Sequence, residues 1–135
     1  PGTEAQAYSY ARELQTQGRY ADAEAAFAQL LQTYPNGETA IDTRFLLART
    51  QLARNNFRDA AQNFIRYMRA APQGPRAPEA QLGLGMALMG LSQDGENDAA
   101  ERRQACEAFT LMPQNTPRQV CERAAGEARA AHCAG

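Results

Sequence analysis

The chain contains no lysine, a single histidine and no long apolar run. All 14 basic residues are arginines; 15 acidic residues oppose them, giving a formal net charge of −1. No basic block runs through the text, so neither a nucleic-acid nor a phospholipid surface is expected. Nothing approaches the roughly 18–20 apolar residues that cross a bilayer, so direct membrane insertion is not expected either. Paired C-x-x-C knuckles are missing, which argues against structural zinc. No P-loop, dinucleotide fingerprint or G-x-S-x-G motif is present. No leader is visible, and the chain begins Pro1-Gly2 without methionine, as an excised domain or a mature chain would.

What the chain does have is a repeat. Gly18, Tyr20, Ala23, Phe27 and Pro35 are matched by Asn55, Phe57, Ala60, Phe64 and Pro72, each pair 37 residues apart. A fixed period of this size, with helical spacing inside each unit, signals stacked helical hairpins. The 135 residues, 44% hydrophobic and 21% charged, form one domain with enough apolar material for a core.

The period sets the elements. Helix one opens at Thr3 or just after and runs to about Gln17, where Gly18 ends it in the left-handed conformation. Tyr20 to Tyr34 form helix two, with Ala23, Ala26, Phe27, Leu30, Leu31 and Tyr34 on one face, and Pro35-Asn36-Gly37 stops it. Thr39 or Asp42 caps helix three; the Asn55-Asn56 pair breaks it, because asparagine tolerates the turn conformation of Gly18. Phe57 to Ala71 form helix four and about Pro78 to Leu91 helix five. Gly83, Gly85 and Gly90 lie inside helix five, where each glycine costs about 1 kcal/mol against alanine, a cost usually tolerated where a neighbour approaches closely. The third unit slips: Ala105 and Phe109 stand 45 residues after Ala60 and Phe64, so an eight-residue insertion falls at about 92–99, as a surface loop or a lengthened helix start. Helix six covers about Ala99 to Met112, and a capping helix about 117–131 closes the stack.

Ala11, Ala48 and Gly85 recur at 37 residues, as small residues must where helices approach, and aromatics fill the gaps between them. This pattern resembles the tetratricopeptide repeat, which implies an all-α solenoid over residues 3–135. Its three repeats are placed at about 4–37, 39–74 and 77–112. A closer resemblance rests on Arg76-Ala77-Pro78-Glu79-Ala80, Leu82-Gly83-Leu84-Gly85-Met86-Ala87-Leu88, Gly90-Leu91 and Gln104-Ala105-Cys106-Glu107-Ala108-Phe109. Gly18-Arg19-Tyr20-Ala21-Asp22-Ala23-Glu24 and Tyr34-Pro35-Asn36 extend it. Over about residues 4–112 the chain resembles the C-terminal domain of the Tol-Pal-associated periplasmic family YbgF/CpoB; the insertion and the Cys121/Cys133 tail are not matched. The resemblance implies a periplasmic, non-catalytic domain of a cell-division coordinator. That protein would be trimerised by an upstream coiled coil absent here. It would bind partners such as TolA and link peptidoglycan synthesis to outer-membrane constriction. Another envelope scaffold, such as an outer-membrane assembly lipoprotein, is the first alternative; a metal-dependent or enzymatic module using Cys121, His132 and Cys133 is the second.

In such stacks the first helix of each pair lines a groove. Projecting the repeat places Tyr8, Arg12 and Gln15, then Phe45, Arg49 and Leu52, then Leu82, Met86 and Met89 on that wall. It would have an arginine-bearing end for carboxylates and a methionine-rich end for apolar side chains. The bland alternative makes Phe45, Leu82 and Met86 core and the arginines solvated.

No cofactor or metal is expected. His132 reads as a solvated residue near the terminus, Asp94 to Asp98 lack the spacing of a calcium loop, and Glu24 and Glu107 read as solvated helix faces. Counting outward from the Pro113–Pro117 turn pairs Cys106 with Cys121, while Cys133 lies sixteen residues past the turn, too far along a straight helix. On the residues alone that bond and three free thiols stand equal; the implied periplasmic location favours the bond.

Overall fold

The computed structural model describes residues 2–94 and 98–133. These form seven helices: α1 Glu4–Thr16, α2 Tyr20–Thr33, α3 Ala40–Ala53, α4 Phe57–Ala70, α5 Ala77–Asp94, α6 Asp98–Thr110 and α7 Arg118–Ala130. No strand occurs among the described residues. The fold is an all-helical stack of the tetratricopeptide-like kind. Consecutive helices pack as hairpins, and α1, α3 and α5 each touch the next odd-numbered helix.

The 37-residue period is visible in the backbone itself. Gly37 N donates to Tyr34 O at 3.1 Å and Gly74 N to Ala71 O at 3.0 Å. Ala40 N donates to Gly37 O and Ala77 N to Gly74 O, both at 3.1 Å. At the other end of the hairpins, Arg19 N reaches Leu14 O and Asn56 N reaches Gln51 O. Gly18 and Asn55 both hold positive φ, 77° and 61°, so asparagine does take over the glycine's role. α1 opens with a reciprocal cap: Thr3 Oγ1 accepts from Gln6 N, and Thr3 N donates to Gln6 Oε1.

Small and large residues alternate in the core as the period requires. Ala11, Ala48, Ala23, Ala60 and Ala105 are fully buried, with Phe27, Phe64 and Phe109 between them. The glycines of α5 mark close approach. A Cβ on Gly83 would lie 2.4 Å from the Phe64 ring, and one on Gly85 would lie 2.3 Å from that of Phe109. α3, in the middle, is buried on nearly every side, Thr43 and Thr50 included.

Four expectations change. The eight-residue surplus is partly taken up by α5, which has 18 residues against 14 in α3; residues 95–97 of the expected insertion lie outside those described. Thr39, not Asp42, stands at the N-cap of α3, but its side chain makes no capping bond to the helix. Glu4 of α1 reaches across, its Oε2 accepting from Thr39 N at 2.7 Å and from Thr39 Oγ1 at 2.5 Å. Glu24 is not a solvated carboxylate. Only 18% of its side chain is exposed, and it accepts from Arg54, Gln51 and Asn56 of the next hairpin.

The disulfide also differs: it joins Cys106 to Cys133, with Cα atoms 5.6 Å apart, and Cys121 is free and exposed. The count from the turn assumed α7 lying in register against α6 and running straight on. Instead α7 leans across α5 as well, with Arg123 ion-paired to Glu79. Its buried stripe is Val120 and Ala124, which turns Cys121 away from the core. Beyond Ala130 the chain folds back: His132 has φ 59° and Cys133 N donates to Ala128 O. That reversal brings Cys133 to Cys106.

Candidate protein-docking site

The wall of α1 and α3 carries a repeated pair: an aromatic residue followed four positions later by an arginine. Four residues bring a side chain round to the same helix face. The Arg12 guanidinium lies 5.6 Å from the Tyr8 ring centroid, and that of Arg49 lies 5.5 Å from Phe45. Arg76, entering α5, places a third guanidinium over Phe45 at 4.9 Å. Each such contact contributes about 0.5–1 kcal/mol when exposed, and it orients a planar cation.

Asp42 and Gln15 fix the arrangement. Asp42 accepts from Tyr8 Oη and from Arg76 Nε, linking α1, α3 and the start of α5. Burial, then the hydrogen bond to Asp42 and its charge, raise the Tyr8 phenol above the ordinary tyrosine pKa. Gln15 donates to Thr50 Oγ1 at 2.7 Å and to Leu46 O at 3.3 Å, which leaves its oxygen to accept from Arg49 at 3.5 Å. Partial burial of its stem, and then the neighbouring Arg76 charge, lower the Arg49 pKa, but an arginine stays charged at any physiological pH.

The projected wall residues separate into two groups. Arg12 and Arg49 are exposed, with Tyr8 and Gln15 half-buried beneath them. Phe45 and Leu82 are core residues, each 2% exposed, and only Phe45's ring face is offered, already under guanidinium groups. The methionine-rich end is not an open groove. Leu82, Met86 and Met89 pack in one cluster with Val120 and Ala124 of α7, so the cap covers them. What remains open there is a cleft of about 120 Å3 bordered by Phe45, Arg49, Leu52, Leu82, Met86 and Arg123. Met89 is not part of it.

Sequence reading missed Asp42, Arg76, Glu79 and Arg123 as members of the wall. A signal existed: Asp42 and Glu79 are an acidic pair at the 37-residue offset, in the first turns of α3 and α5. Each receives an arginine from further along the chain, Arg76 and Arg123 respectively. Larger clefts lie elsewhere, about 730 Å3 between α1 and α2 and about 530 Å3 between α6 and α7, and neither gathers opposed charges.

Cys133 is committed to the disulfide, which removes a thiolate from any site built on Cys121, His132 and Cys133. Among the described residues, no group of three or more His, Cys, Asp or Glu is placed to hold a metal ion. No described helix is long and apolar enough to cross a membrane.

The model of the YfiO family, described as outer membrane lipoprotein, matches the chain over residues 2–120. No curated protein matches the chain.

Proposed function

Because the chain belongs to the YfiO outer membrane lipoprotein family, we propose that it is a non-catalytic envelope scaffold. Its α1–α3 wall docks a segment of another protein. The observation that carries this reading is the pre-set wall of Arg12, Arg49 and Arg76 on Tyr8 and Phe45. Side chains already ordered in the free protein lose little entropy on binding. The mechanism is equilibrium docking, without cofactor or covalent step. We place the domain in the periplasm and the repeat units at about 4–37, 39–74 and 77–112, closed by α7.

Of the finer readings, the first is an outer-membrane assembly lipoprotein, supported by the matched family's description as outer membrane lipoprotein. The second reading is a Tol-Pal-associated coordinator of division that contacts TolA and the peptidoglycan synthesis machinery and trimerises through an upstream coiled coil. It is supported by Arg76 to Leu91 and Gln104 to Phe109. The residues encoded upstream of Pro1 separate the two: a lipidated cysteine supports the first, a leader followed by heptads the second.

The docking reading is tested with Arg49→Glu. Partners are captured from envelope extracts by the wild-type domain, and the captured protein is purified and titrated by calorimetry. The expected result is a loss of at least tenfold in affinity with helicity unchanged, since a like charge now faces whatever the wall attracted. Unchanged affinity removes α3 from the docking surface.

A further inference from the structure

We propose that Arg12 and Arg49 read two carboxylates spaced three residues apart on an extended acidic segment of the partner, with an apolar side chain following at the next third residue. The inference rests on the docking reading above and gives the partner a chemistry.

The wall contains four cations and two anions. Arg76 is ion-paired with Asp42, and Arg123 with Glu79. Among the described residues, Arg12 and Arg49 have no ion-pair partner. Two positive charges are therefore left over, and both are exposed. They are also equivalent. Each follows its aromatic seat by four residues, and the two seats, Tyr8 and Phe45, stand one repeat apart. A guanidinium held over a ring keeps N–H groups free, and a guanidinium can grip a carboxylate with two parallel hydrogen bonds.

The spacing selects the ligand. α1 touches α3, and packed helices lie about 8–10 Å apart, so a ligand spanning equivalent seats on the two has to bridge on the order of 10 Å. A polyproline II segment rises about 3.1 Å per residue with three residues per turn, so side chains at i and i+3 point the same way about 9.3 Å apart. In a flat β-strand, i and i+3 fall on opposite faces. A single terminal carboxylate fills one seat and leaves the other empty. One repeat further on, the place of Arg12 and Arg49 is taken by Met86, beside the cleft of about 120 Å3. The third step is apolar.

The test uses fluorescein-labelled nine-residue peptides of proline and alanine with two glutamates at i, i+3 and leucine at i+6. Companion peptides carry glutamates at i, i+1, glutamine at both acid positions, or a free C-terminal carboxylate as the only acid. Anisotropy gives affinities, and amide shifts of isotope-labelled protein give the site. The i, i+3 peptide should bind tightest, with each glutamate-to-glutamine change costing roughly three- to tenfold. Arg12→Gln should weaken the i, i+3 peptide by a similar factor and leave the doubly glutamine-substituted peptide unaffected. Arg12 is exposed and its side chain makes no hydrogen bond within the described residues, so the variant keeps the fold. Equal affinity at both acid spacings, equal affinity for glutamine and glutamate, or tightest binding by the terminal carboxylate overturns the inference. If the glutamine peptide binds as well and still shifts the Tyr8, Gln15 and Phe45 amides, the docking reading survives alone. If no peptide shifts them, both are overturned.

Discussion

Two glycine-to-alanine substitutions in helices of this domain should have opposite effects. Glycine inside a helix costs about 1 kcal/mol relative to alanine, so each replacement starts with that gain. At Gly126 in α7 the gain should be kept, because the nearest atom to an added Cβ is Arg129 Nη2 at 3.8 Å. At Gly85 it should be overwhelmed. The new methyl would meet three atoms of the Phe109 ring at 2.3, 2.7 and 2.8 Å. Ordinary carbon contacts begin near 3.5 Å, so the ring has to withdraw by about 1 Å. Phe109 is 3% exposed and packs in the cluster that holds Leu82, Val120 and Ala124, so it has nowhere to go without moving a helix. Overpacking of this kind costs about 1–3 kcal/mol, and three close ring atoms put Gly85 at the upper end. Gly85→Ala should therefore destabilise by about 2 kcal/mol net, while Gly126→Ala stabilises by up to about 1 kcal/mol. For a domain of this size each kcal/mol moves Tm by roughly 3–6 °C, which separates the two variants by about 10 °C or more. Thermal melts followed by circular dichroism at 222 nm, with urea midpoints, measure it. The pair Gly85→Ala and Phe109→Ala should also be less than additive, since the second change removes the obstacle to the first. A Gly85→Ala variant as stable as the wild type would refute the close approach of α5 and α6.

The remaining predictions concern the cap and the first inter-repeat contact. Cys133→Ser should destabilise by up to about 3.5 kcal/mol, the chain-entropy value for a bridge across 27 residues, while Cys121→Ser should be near neutral. A thiol titration of the oxidised, denatured chain should find one free cysteine, and labelling should map to Cys121. Glu4 should give acid sensitivity. Its hydrogen bonds to the Thr39 hydroxyl and amide hold its pKa below the ordinary value, so its contribution is present above about pH 4.3 and lost as pH falls through the lowered value. Urea unfolding of wild type and Glu4→Gln should therefore converge as the medium is acidified, and parallel curves would remove Glu4 from the account.

The stack was legible because its period is written in residues with one physical job each. Gly18 and Asn55 must adopt positive φ, Ala11 and Ala48 must be small, and Phe27 and Phe64 must fill what the small residues leave. What was not legible depends on directions in space. Glu24 taken alone is an ordinary helix-surface glutamate; it becomes a hub because Gln51, Arg54 and Asn56 of the following hairpin arrive over it. The disulfide required the tilt of α7 and the backward turn at His132, neither of which follows from counting residues from a proline. The methionine end of the wall read as free surface because helical spacing cannot distinguish a face turned to solvent from one that a later helix covers.

The departures from the period carry as much information as the matches. A solenoid needs small and aromatic residues at fixed places, and here those recur faithfully. It does not need an acid at Asp42, which has no acidic counterpart one repeat earlier at Ala5, nor a cation at Arg76, where the preceding unit has Thr39. These two residues meet each other and Tyr8 across three successive units. Stability is a weak reason for them, since partly exposed ion pairs contribute only about 0–1 kcal/mol and hold long side chains in one geometry. Their effect is on shape: Asp42 pins Arg76 over Phe45 beside Arg49 and pins the Tyr8 ring beneath Arg12. A carboxylate absent from the first unit thus holds Tyr8 and Arg76 in place beside the recurring Arg12 and Arg49. That is expected of a wall ordered ahead of its ligand, whereas a merely solvated helix face would leave the same arginines free to wander.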